Sequence, residues 1–129
     1  MEQYVLLYHF EDQESEKHFA EKIRQHFGRH KVEQNGETTY FGFAGQEEPG
    51  VVGQIKSSID TLGIGTSDYV ALYFSKQEAG PEKITQKMLL GSDDLVESNI
   101  RTVSAAAHVD TLTRMLDFDF VEAQPEPPQ

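Results

Sequence analysis

The sequence predicts an α+β domain in the ferredoxin-like β-α-β-β-α-β order, extended by one extra strand and a C-terminal helical segment. Three observations carry that expectation. Residues 4–10 and 68–75 are short runs dense in aromatic and aliphatic side chains, each followed by a polar cluster, as buried strands are. Between them, apolar residues recur every three or four positions in two separate stretches, the period of a helix with one buried stripe. Asn35-Gly36 lies between those stretches and favours a two-residue hairpin. With 129 residues, 26% charged side chains and no cysteine, one core can be buried without disulfide or metal staples.

The first strand, residues 4–10, stops at Glu11-Asp12-Gln13. A helix follows: Asp12 or Ser15 can cap it, Glu14 and Glu16 suit the positive end of its dipole, and Phe19, Ile23 and Phe27 share one stripe. Gly28 is the expected left-handed stop. Residues 30–34 and 37–44 are expected to pair antiparallel about a type I′ turn at Asn35-Gly36, which needs positive φ at both central positions. Pro49 suits the first turn of a second helix, where Val51, Val52, Ile55, Ile59 and Leu62 follow at helical spacing before Gly63. The strand at 68–75 completes a six-element core over residues 3–75.

Residues 83–90 read as an additional strand closed by Gly91, and Ser92-Asp93-Asp94 as a helix start. Leu95, Val96, Ile100 and Val103, then Val109, Leu112, Met115 and Leu116, give one interrupted helix or two consecutive ones. The expected organisation is a single domain over 1–120, with the strand and helix extension at 76–120. An acidic, proline-rich tail at 121–129 is expected to be disordered.

Neither long apolar strand alternates with polar residues. Val5 and Leu7 oppose Tyr4, Leu6, Tyr8 and Phe10, while Val70, Leu72 and Phe74 oppose Tyr69, Ala71 and Tyr73. Two helices cover one face of a sheet, so the second apolar face needs its own cover: the C-terminal helices, or a second copy of the chain. A face left open would offer Tyr4, Tyr8, Tyr69 and Tyr73 as a binding surface, with His9 on the first strand beside it.

Tyr40-Phe41-Gly42-Phe43 on the third strand, with Tyr4 and Tyr8 on the first, resembles the RNA-recognition motif. The resemblance covers the topology of residues 3–75, and its specific piece is the Phe41-Gly42-Phe43 triplet. It implies single-stranded RNA stacked on sheet aromatics. The basic residue that family places before the triplet is missing, Thr38-Thr39-Tyr40 standing there instead. A net charge of −11 repels polyphosphate, which argues against DNA and disfavours RNA.

Lys22, Arg24, Arg29 and Lys31 form the one basic window without an acid; Arg24, Arg29 and Lys31 are its candidate anion-binding residues. Basic residues near a helix C-terminus are also what the dipole favours. His26 and His30 are four apart but straddle Gly28, so they make a poor metal pair. His9, on a core strand, is the histidine best placed to be an acid, a base or a ligand. There is no Gly-x-Ser-x-Gly, no His-Glu-x-x-His and no phosphate loop with a following Lys-Ser/Thr. No catalytic residue, metal site or cofactor is therefore assigned.

The start of the chain carries no basic segment ahead of an apolar one, and no run approaches the roughly 20 apolar residues of a membrane span, which reads as cytoplasmic with no membrane partner. The functional expectation is a non-catalytic protein-interaction or regulatory module, self-associating through its sheet as a homo-oligomer or binding a protein partner. The rivals are a small-ligand binder or enzyme of the dimeric α+β-barrel kind with a pocket near His9, and RNA binding. A pocket of several hundred Å³ lined by His9 is the feature that favours the ligand binder.

Overall fold

The computed structural model describes residues 2–76 and 83–117. The tail expected at 121–129 lies outside these residues. Among the described residues nine elements occur in the order β1 (Glu2–His9), α1 (Gln13–His26), β2 (His30–Asn35), β3 (Thr38–Gly45), α2 (Glu48–Ile59), β4 (Tyr69–Lys76), β5 (Lys83–Leu90), α3 (Asp93–Val103) and α4 (Ala105–Asp117). The five strands form one sheet in the order β2-β3-β1-β4-β5, with every neighbouring pair antiparallel. This is an α+β fold with β1 at its centre.

The central strands are apolar on both sides because both sides are covered by helices of the same chain. Tyr4, Leu6 and Tyr8 of β1, Phe41 and Phe43 of β3 and Leu72 of β4 pack with Phe19 and Ile23 of α1 and with Val51 and Ile55 of α2. On the reverse side Val5, Leu7, Tyr40, Tyr69, Ala71 and Tyr73 pack with Val96 of α3 and with Leu112 and Met115 of α4. Of the two covers open to the sequence, the C-terminal helices are the one present.

Helix α1 starts where Asp12 accepts hydrogen bonds from the Ser15 backbone N–H (3.1 Å) and hydroxyl (2.9 Å). It ends at the expected place, with Gly28 just past the C-cap, but without the expected left-handed residue. Phe27 is the C-cap, with φ −126° and ψ 86°, and Gly28 is not at positive φ. The reason is packing: the Phe27 ring stacks on Phe43 with centroids 4.1 Å apart, which draws the chain out of the helix without a left-handed residue. Helix α2 stops at Ile59 with Asp60 as C-cap, ahead of Gly63.

The β2–β3 hairpin forms, but its turn is Gly36-Glu37, because Asn35 pairs with Thr38. Gly36 has φ 61° and Glu37 is not at positive φ, a pattern that matches type II′ and not the expected type I′. Asn35 is held in the strand by its side chain, whose amide donates to the Thr111 hydroxyl of α4 at 2.8 Å. Replacing Gly36 with valine should cost about 1–2 kcal/mol, since a β-branched residue at positive φ is strained. Urea unfolding followed by circular dichroism checks this, and an unmoved midpoint would contradict the turn geometry.

The extension divides into two helices at Ser104, whose extended backbone (φ 163°, ψ 131°) breaks the helical run. Gly91, with φ 78°, makes the connection from β5 to α3 possible: a Cβ there would lie 2.6 Å from the Asp68 carbonyl oxygen.

Candidate functional site

At the end of the sheet where the central strand β1 stops, a cleft of about 390 Å³ is lined by His9, Gly36, Glu37, Ser67, Tyr69, Leu95, Ser98 and Asn99. Four separate pieces of chain meet there: the end of β1, the β2–β3 turn, the approach to β4 and the first turns of α3. Asp68 fixes the third of these. It is buried, its Oδ1 accepting the Glu11 N–H at 2.7 Å and its Oδ2 the Gly65 N–H at 2.6 Å, so the loop before β4 is clamped to the exit of β1. The Ser67 hydroxyl donates to the Glu11 carboxylate, tightening the same corner. The close pass of Gly91 over Asp68 then brings Leu95, Ser98 and Asn99 above the opening.

The orientation of His9 follows from its partner. Its Nδ1 lies 3.1 Å from the Glu37 backbone carbonyl oxygen, which can only accept, so Nδ1 carries the proton and Nε2 is left as the second functional nitrogen. Nε2 is 3.8 Å from the Glu37 carboxylate. The Tyr69 ring sits 5.7 Å from the imidazole and forms the inner wall. The Tyr69 hydroxyl bonds the buried Thr38 hydroxyl, which also takes the Asn99 amide, so one polar triad ties α3, β3 and β4 together beneath the cleft.

Further polar contacts border the apolar cluster under α3 and α4. Tyr40 and His108 Nδ1 share a hydrogen bond of 2.6 Å, Gln86 donates to the Tyr73 hydroxyl at 2.7 Å, and Arg114 donates to Glu33 at 2.5 Å. Burial pushes the Tyr40 and Tyr73 hydroxyls up to about 12, and that of Tyr69 upward too, so all three stay protonated at neutral pH. Burial lowers the His108 imidazole, and the Arg114 guanidinium holds the Glu33 carboxyl below the usual carboxylate range. Chemically, the cleft offers a fixed imidazole, a carboxylate and hydroxyls against a Tyr69–Leu95 wall, a set suited to gripping a small molecule through polar contacts.

The residues singled out from sequence are distributed as follows. His9 and Tyr69 are together in the cleft. Tyr73 lies on the same side of the sheet but is buried beneath the C-terminal helices. Tyr4 and Tyr8 are on the opposite side, under α1 and α2, because β1 pairs with β4 so that Tyr8 meets Val70 and His9 meets Tyr69. The four tyrosines therefore do not form one surface, and none lies on an open face. Tyr40, Phe41 and Phe43 are at most 1% exposed, which leaves no ring there for a base to stack on.

The basic window is also divided. Arg24 lines a groove of about 620 Å³ between α1 and β2, where Glu16, Glu21 and Lys17 lie beside it, whereas Arg29 and Lys31 sit at the turn into β2 and at its start. His30 stacks on Phe41, with Nδ1 on the Phe27 carbonyl at 3.0 Å, apart from His26 at the end of α1. Among the described residues no three His, Cys, Asp or Glu side chains are grouped to hold a metal, and no helix is long and apolar enough to cross a membrane.

Glu37, Ser67, Ser98 and Asn99 were not singled out by sequence reasoning. Glu37 alone carried a signal, as the residue after the hairpin glycine. Ser98 and Asn99 look like any polar positions of an amphipathic helix until α3 is placed on the sheet. Compared with protein-family models, curated proteins and solved structures, the chain matches none.

Proposed function

We propose that the chain is a ferredoxin-like small-ligand-binding module of the regulatory kind, whose site is the His9 cleft. The observation that carries this reading is the cleft itself, about 390 Å³ with His9 fixed at its mouth by the Glu37 carbonyl. The order β2-β3-β1-β4 with α1 and α2 on one side supports the ferredoxin-like description, to which β5, α3 and α4 add a second layer of helices. That layer supplies one wall of the site, so the extension belongs to the binding machinery as well as to the core. Because helices of the same chain lie on both faces of the sheet, pairing between copies is left to the edges β2 and β5, where Val32 and Ile84 are exposed.

A nuclear magnetic resonance fragment screen on the 15N-labelled chain tests the reading. Hits should shift the amides of His9, Glu37, Tyr69 and Asn99. Ser98→Phe, a substitution at an exposed helix position on the rim, should abolish those shifts while leaving the melting temperature within about 2 °C, as surface changes usually do. Hits that map elsewhere and ignore Ser98→Phe would dismiss the cleft as the site.

A further inference from the structure

The hydrogen-bond inventory of the cleft is lopsided. The Nδ1 proton of His9 is spent on the Glu37 carbonyl oxygen, so a neutral ring turns only a lone pair outward from Nε2. The Glu37 carboxylate, an acceptor, faces that nitrogen across 3.8 Å, beyond the reach of a direct hydrogen bond. The Ser67 hydroxyl has given its proton to Glu11, leaving an oxygen that can only accept. Among the described residues no Lys or Arg lines the cleft, and the chain as a whole carries −11. A donor nitrogen seated beside the line that joins these two acceptors can reach both within hydrogen-bond distance, and positive charge on it answers the surrounding field.

We infer that the cleft selects a small organic cation, a primary ammonium or guanidinium, whose N–H groups bridge His9 Nε2 and the Glu37 carboxylate while its hydrocarbon part lies against Tyr69 and Leu95. The inference rests on the cleft being the ligand site and adds the chemical class of the ligand. An anionic ligand would find the Ser98 hydroxyl as a donor but, among the described residues, no cation to balance the Glu37 carboxylate. A neutral ligand of the same shape would forgo the charge contribution and keep the apolar contact. The Glu37 side chain is 78% exposed, so its contribution is screened and modest, and it is confined to the cation.

The test is a charge series of near-constant shape, benzylammonium, benzyl alcohol and benzoate, titrated at pH 8 into the labelled full chain and into Glu37→Gln. That substitution keeps the backbone carbonyl that orients His9 and alters only an exposed side chain. Benzylammonium should bind about three- to fivefold more tightly than benzyl alcohol, with benzoate weakest, the margin shrinking in 0.5 M salt. In Glu37→Gln the ammonium and the alcohol should bind equally. Equal binding to the unaltered chain, tighter binding of benzoate, or a preference that survives Glu37→Gln would overturn the cation assignment and leave the cleft as a binding site. Failure of all three probes to shift the cleft amides would remove the cleft reading and the inference with it.

Discussion

Truncating Leu112 to alanine should lower the stability of the whole domain by about 2–4 kcal/mol, seen as a fall in the urea midpoint with the slope of the transition unchanged. Leu112 is buried on α4 in the cluster that includes Val5 and Leu7 of the central strand, Tyr40 of β3 and Met115 one turn on. Deleting its branch removes apolar contact and leaves a space that the stiff β-sheet floor cannot collapse to fill. Val109 on the same helix provides the contrast. It is 58% exposed, and Val109→Ala should stay within about 0.5 kcal/mol of the parent, because it belongs to neither buried cluster and alanine favours a helix. Equal midpoints for the Leu112 and Val109 variants would mean that α4 does not cover the sheet, and the cleft wall contributed by α3 would lose its support.

Stability should also fall as the pH drops below the ordinary imidazole value of 6.5, with His108 as the source. His108 is only 9% exposed, bonded through Nδ1 to the Tyr40 hydroxyl and set edge-on to Tyr73, so burial disfavours its charged form and lowers its pKa. The unfolded chain, with a histidine of ordinary pKa, binds the proton first. Between that value and the depressed one the unfolded state therefore carries more protons, and each unit of pH removed costs up to about 1.4 kcal/mol from this one group. His108→Gln, which can still pair with Tyr40, should flatten this part of the pH profile. The carboxylate contribution, from Glu33 held down by Arg114, belongs to a lower window: it is present above the ordinary carboxyl value of 4.5 and lost as the pH falls through the depressed one. Chemical denaturation at pH 7, 6 and 5 separates the two. A profile that is flat from pH 7 to 5, or one that His108→Gln leaves unaltered, would exclude His108 as the source.

Both results bear on function through one interface. The contact between α3, α4 and the sheet combines an apolar cluster with side-chain hydrogen bonds at Thr38, Tyr40 and Asn35. Such bonds contribute modest net stability, yet each is costly to leave unmade, so they restrict the helices to one seating on the sheet. The same seating holds Leu95, Ser98 and Asn99 at the cleft. A ligand that touches α3 and His9 together thus binds across the boundary between the six-element core and its extension.

Much of the fold was legible in the residues. The run at 83–90 is β5 without a shift of either end, and the apolar character of β1 and β4 on both sides correctly demanded a second covering layer. Periodicity and composition are local properties of the chain, and strand runs and helix stripes are written in them. The helix ends were less legible. Phe27 stacking on Phe43 and Asn35 reaching Thr111 are long-range contacts, and they overrode the glycine at 28 and the Asn-Gly turn preference.

The sequence by itself determined the kind and order of the elements, apart from whether the C-terminal helical segment is one helix or two, the acidity of the chain and the choice of His9 as the histidine to watch. Which tyrosines share a face, which of two covers closes the second side and which side chains face His9 were decided by strand register and helix docking. The physical reason is that a cleft assembled from β1, a hairpin turn, a loop and α3 is a property of distances between segments far apart in the chain. No spacing of residues along a single segment encodes those distances.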